Sequence, residues 1–205
     1  MEAESSDLNS IKSILYRAAD TKQTDGATVI SNLLSAEKLV KSETKKRAAD
    51  DFDVTSELRK NLAGTWRLIF TTGTLKTQQA LNTKINYFPL TARQSFTESG
   101  SITNSIYLGS KFNAFKFSGK YDLVYLSNGV IRVEFDFEKL RLLDLFDITL
   151  GSGALEVGEK TGLGSGTGIK KDDGKKKAFF NWCIADEKIA TARGGGGGIA
   201  LWKRE

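Results

Sequence analysis

The strongest constraint on the fold is a change of rhythm at Gly64: apolar residues recur at helical spacing before it and alternate with polar ones after it. Leu8, Ile11, Ile14, Leu15, Ala18 and Ala19 form one stripe, with Ser5, Ser6 or Asp7 placed to cap the opening amides. A second helical pattern carries Val29, Ile30, Leu33 and Leu34 after the Asp25-Gly26 break and runs on through Leu39 and Val40 into the charged stretch 41–51. A third, short helix is predicted over Ser56–Leu62. Beyond Gly64, Trp66, Leu68 and Phe70 are expected on one face of a strand, with Thr65, Arg67, Ile69 and Thr71 on the other.

Further strands are predicted at Arg93–Glu98, Ser101–Leu108, Phe112–Ser118, Tyr121–Ser127 and Val130–Phe137. Asn128-Gly129 is the best hairpin signal, since both residues tolerate the positive φ angles of a type I′ turn. In the next strand Ile131, Val133, Phe135 and Phe137 share a buried face opposite Arg132, Glu134 and Asp136. Lys139–Leu150 suits a strand pair or a short helix, with strands favoured. Strands resume at Ala178–Ile184, Glu187–Ala192 and Gly198–Lys203. Successive short strands with helices gathered at the N-terminus imply an antiparallel up-and-down β-barrel or strongly curled sheet. Barrels of about eight strands or more can enclose an apolar ligand.

With 205 residues and 40% apolar content, one core can be filled, so a single soluble domain is expected. The helical segment 1–62 is expected to pack on a barrel spanning 63–205, interrupted by a flexible Gly/Lys-rich insert at 151–177. Charge interrupts every apolar stretch, so no membrane-spanning segment is expected. The acidic N-terminus resembles neither a secretory signal nor a transit peptide. The single cysteine, Cys183, fits a reducing compartment. Lys170, Lys171, Lys175, Lys176 and Lys177 supply much of the net charge of +5 and read as a solvated loop.

The chain has no histidine, which excludes Ser-His-Asp and Cys-His catalysis and His-containing metal sites. Gly153 and Gly158 have P-loop separation, but Glu159 stands where lysine is needed to meet a phosphate. The glycines at 162, 164, 166 and 168 miss the dinucleotide fingerprint. Neither an enzyme nor a cofactor is expected. A nucleic-acid-binding barrel is a weaker alternative, resting on net charge and on aromatic strands such as 112–117.

Leu62-Ala63-Gly64-Thr65-Trp66-Arg67-Leu68-Ile69-Phe70-Thr71-Thr72 resembles the opening strand of the plastid lipid-associated proteins, or plastid fibrillins. Ala185–Gly194 followed by Gly198–Arg204 is similar to that family's closing hairpin. The resemblance runs from about residue 8 to 204, and the insert at 151–177 departs from it. It implies a lipocalin-like barrel in a plastid, at plastoglobules, the thylakoid surface or the stroma. It also implies a carotenoid, quinone or fatty acid ligand, or a role as non-catalytic partner of an enzyme making such lipids.

Gly64 permits close backbone approach where the barrel closes, and Trp66 can plug its floor. In lipocalin-like proteins a basic side chain from the last strand covers such a Trp, which makes Arg204 the first candidate and Arg193 the second. Ligand-facing candidates are the aromatics Phe96, Tyr107, Phe117, Tyr125, Phe135, Phe137 and Trp182. Phe112, Phe115, Tyr121 and Phe180 extend that aromatic set, and Arg132 is a candidate anchor for a polar head.

Overall fold

A computed structural model describes residues 2–73, 87–108, 112–142, 146–149, 169–170 and 176–205. Three helices lead: α1 (Glu2–Thr21), α2 (Gly26–Ala49) and α3 (Val54–Leu62). Asp25 caps α2 by accepting from the Thr28 N–H, and Asp53 caps α3 by accepting from the Thr55 and Ser56 N–H groups. Helix α1 starts at Glu2, so Ser5, Ser6 and Asp7 lie within its opening turns rather than ahead of it.

The strands are β1 (Gly64–Thr71), β2 (Thr91–Phe96), β3 (Ser101–Leu108), β4 (Phe112–Leu126) and β5 (Val130–Leu142), then β6 (Phe146–Thr149), β7 (Ile169–Lys170), β8 (Lys176–Ala185), β9 (Ile189–Gly194) and β10 (Ile199–Arg204). Every pairing is antiparallel, and β1-β2-β3-β4-β5-β8-β9-β10 closes on itself into an eight-stranded, lipocalin-like barrel. Closure depends on β5 meeting β8 from Ile131↔Trp182 to Phe135↔Ala178. Beyond that the two strands part: β5 pairs with β6 through Lys139–Leu142, and β8 pairs with β7.

The strand pair favoured for Lys139–Leu150 is present as the end of β5 and β6, while residues 143–145 and 150 lie outside the described residues. Most of the insert 151–177 lies outside them too. Its described parts are strand rather than loop, because Ile169 and Lys170 continue the β8 ladder at Lys177 and Lys176. Backbone pairing does not require apolar side chains, which is why composition missed it.

Three local readings change. Phe112–Ser118 and Tyr121–Ser127 are one strand: a bulge opposite Ser118 and Gly119 bends β4 instead of ending it. A Cβ on Gly119 would lie 1.9 Å from the Asp136 carbonyl oxygen, so only glycine fits this crossing. In the Ser127-Asn128-Gly129 connection, only Gly129 (φ +84°) takes the left-handed conformation. Gly129 N–H donates to Leu126 O at 2.9 Å, giving a three-residue turn in place of type I′. Finally, a bulge between Leu68 and Phe70 shifts the β1–β10 register. Leu68 pairs with Trp202 and keeps the interior face, whereas Phe70 pairs with Leu201 and joins the cluster outside the barrel.

Two cores result. Inside the barrel, Trp66, Phe96, Ile102, Tyr121, Val133, Phe135, Trp182 and Trp202 pack together, and α3 seals one end through Val54, Leu58 and Leu62. Outside, Leu15, Ala18 and Ala19 of α1 and Val29, Leu33 and Ala36 of α2 cover Ile69, Phe70, Ile184, Ile189, Ile199 and Leu201. Alternation on β10 serves both: Ala200 and Trp202 point in, Ile199 and Leu201 point out. No helix among the described residues is long and apolar enough to cross a membrane.

Candidate ligand-binding site

The closed end is built on Trp66, which is fully buried and donates its indole N–H to Leu62 O at 2.7 Å. The Arg204 guanidinium carbon lies 4.1 Å from the ring centre. Arg204 also donates to Ala63 O at 2.8 Å, to Asn61 O, and to Asp186 O at 3.1 Å and 3.2 Å. Gly64 takes φ +128°, and a Cβ there would meet Arg204 Nη1 at 2.9 Å. Arg193 is not part of this closure. It forks onto Glu37 of α2, with Nε donating to Oε1 at 2.8 Å and Nη2 to Oε2 at 2.5 Å, and fixes that helix to β9.

Asp186, in the β8–β9 turn, ties the closed end to α1. Its carboxylate accepts from Tyr16 Oη at 2.8 Å and from the Lys188 and Ile189 N–H groups at 2.9 Å and 3.0 Å, with Lys12 Nζ at 3.3 Å. Burial alone would raise its pKa, but these donors together hold it below the ordinary 3.8. Tyr16 is pushed up to about 12 by burial and by Asp186.

Rings line the interior in unbroken contact. Tyr121 meets Phe96 (5.2 Å between centroids), Phe96 meets Trp182 (5.7 Å), and Trp182 meets Trp202 (5.2 Å). Trp202 meets Phe180 (5.7 Å), Phe180 meets Phe135 (5.3 Å), Phe135 meets Phe137 (5.2 Å), and Phe137 meets Phe117 (5.6 Å). Ala178, Ala190, Ala192 and Ala200 face them, and these small side chains make room for the indoles. Leu68, Leu123, Tyr125, Phe137 and Phe180 pack against this core while remaining partly exposed.

Of the sequence candidates, Phe96, Phe117, Phe135, Phe137 and Trp182 are thus brought together, with Tyr125 at the margin. Tyr107 is not among them. The bulge between Ile106 and Tyr107 leaves its ring under the Arg93 guanidinium, 4.7 Å away, and Arg93 pairs with Glu205 on the outer face. Arg132 also fails as an interior anchor: it lies 4.0 Å over the Phe179 ring and donates to Asn181 Oδ1 at 3.1 Å. Alternation with Val133 puts it outside.

Sequence reasoning missed Trp202 and the buried Gln94–Asn104 pair as interior residues. The signal for Gln94 was its place two residues before Phe96 on the same strand face. Cys183 has its thiol pushed up to about 12 by burial, which leaves little thiolate for chemistry.

The end opposite Trp66 carries different surfaces. There Leu90 (46% exposed) and Phe115 (38% exposed) are large apolar side chains in contact with solvent. On the outer face nearby, Lys116, Ser118, Lys139 and Arg141 line a cavity of ≈ 160 Å³. Strand register sets Lys116 directly opposite Arg141 and Ser118 opposite Lys139.

No family model matches the chain, and no curated protein matches it. Among solved structures, an uncharacterized protein from Bacteroides eggerthii DSM 20697 is similar at a TM-score of 0.45 and 15% identity, over 70% of this chain and 99% of that one.

Proposed function

We propose that the barrel binds or shields a hydrophobic small molecule of the carotenoid, quinone or fatty acid class, and that the protein works at a lipid surface in a plastid without catalysing a reaction. The interior carries this reading: aromatic rings touching from Tyr121 to Phe117 form a large apolar wall, which suits a conjugated or isoprenoid body. The closed end favours entry from the opposite side, where Leu90 and Phe115 are exposed beside the basic cavity. Apolar and cationic groups together suit an anionic lipid surface. Plastid location rests on the resemblance to plastid lipid-associated proteins in residues 62–72 and 185–204.

The test is extraction and mass spectrometry of small molecules that co-purify with the native protein, against a folded Phe135→Arg, Phe137→Arg variant. One apolar class recovered from the native protein alone is the expected result. An empty native protein that still binds lipid droplets would overturn the interior site.

A further inference from the structure

Inside the barrel two buried polar atoms stand without a partner. Gln94 is 5% exposed; its amide nitrogen donates to Asn104 Oδ1 at 2.8 Å, but its amide oxygen accepts nothing. Trp182 is also 5% exposed, and its indole N–H donates to nothing. By contrast, the Trp66 indole is satisfied by Leu62 O. Leaving a buried donor or acceptor unmade is destabilising, a penalty that Phe in place of Trp and an aliphatic in place of Gln would avoid. Two such atoms in one interior point to a group that arrives from outside the chain.

Their placement says which group. Gln94 pairs with Trp66 across β1–β2 and shares its strand face with Phe96, while Trp182 packs on Phe96 at 5.7 Å. A lone acceptor and a lone donor therefore stand on two interior residues that neighbour Phe96, one along its strand face and one packed on its ring, within apolar walls. A hydroxyl meets both: its oxygen accepts from the indole and its hydrogen goes to the amide oxygen. A carboxylate has no hydrogen for Gln94, and Arg132, Arg193 and Arg204 are engaged elsewhere. We propose that Trp182 and Gln94 form the polar end of the interior site and that its ligand is an apolar molecule bearing a hydroxyl group. This rests on the container reading and specifies what the container selects. The apolar body extends along Phe180, Phe135 and Phe137, away from the end closed by Trp66.

Calorimetric titration of the full chain with decanol, its methyl ether and a ketone of equal length tests this. Decanol is expected to bind at least about tenfold tighter than either analogue, because both analogues leave a buried group unmet. In Gln94→Met the preference should shrink to less than about threefold by loss of decanol affinity alone; should that variant not fold, Trp182→Phe, which removes a donor that all three ligands can meet, should weaken all three alike and keep the preference. Equal binding of alcohol and ether would overturn the hydroxyl while leaving the container intact. Tightest binding of the ketone would do the same, since it would require donors only. Binding of none of the three would remove the container reading itself.

Discussion

The Arg204 guanidinium caps the Trp66 ring at 4.1 Å while its N–H groups reach the carbonyls of Asn61, Ala63 and Asp186. One side chain from the last strand thereby joins the first strand, the end of α3 and the β8–β9 turn. Arg204→Ala should destabilise the fold by about 2–4 kcal/mol, combining the lost ring contact with several unmet carbonyls. Arg204→Lys should recover less than half, since an ammonium cannot fork across separate acceptors. Urea unfolding midpoints with unchanged slopes check both.

Gly119 tests how the barrel turns its corner. Gly119→Ala places a Cβ 1.9 Å from Asp136 O, within backbone that cannot move without opening the β4–β5 ladder. A loss of about 3 kcal/mol or more, or failure to fold, is expected. The comparison is Ser118→Ala, beside the same bulge but with no such contact to break; it should unfold within about 0.5 kcal/mol of the native chain.

Acid sensitivity should trace partly to Asp186. Its folded pKa lies below the ordinary 3.8, so its contribution to stability is complete above that value and is lost as pH falls through the folded pKa. The Asp186→Asn chain should be less stable than native at neutral pH, and the gap should narrow by about pH 3. Urea unfolding at both pH values checks it. A gap that stays constant would mean that the carboxylate charge does not hold α1 and the β8–β9 turn.

Much of this architecture was legible in the sequence because it follows from periodicity. The change at Gly64 and the alternation of Ile131, Val133, Phe135 and Phe137 each report burial on one face, and the fold keeps them. What was not legible are the places where register slips. Phe70 left the interior because one bulge in β1 reverses every face beyond it, and no residue type marks that slip. Gly119 fell in the gap between two predicted strands because a strand break and a close backbone crossing both ask for glycine. Tyr107 and Arg132 failed as interior residues for a related reason: composition shows that a strand is aromatic or basic, and only pairing shows which way each side chain faces.

The basic cavity on the outer face should govern lipid-surface binding. Lys116, Lys139 and Arg141 gather three positive charges around one cavity, a field that suits an anionic lipid surface. Replacing Lys116, Lys139 and Arg141 with Gln should weaken binding to phosphatidylglycerol vesicles by about 1 kcal/mol for each charge removed. Binding of the native chain should fall as salt rises from about 0.05 M to 0.5 M. Co-sedimentation measures both, and a salt-independent affinity would contradict the electrostatic role.

The most direct test of the central claim is quenching of intrinsic fluorescence by a long-chain alcohol brominated at mid-chain, because bromine quenches an indole only near contact. Trp182 and Trp202 stand in the interior ring chain, whereas Trp66 is sealed behind Arg204 at the closed end. A ligand inside the barrel should quench native emission saturably, and quenching should disappear in Trp182→Phe, Trp202→Phe, where Trp66 alone reports. Native emission left unchanged under conditions where the protein binds vesicles would contradict an interior site.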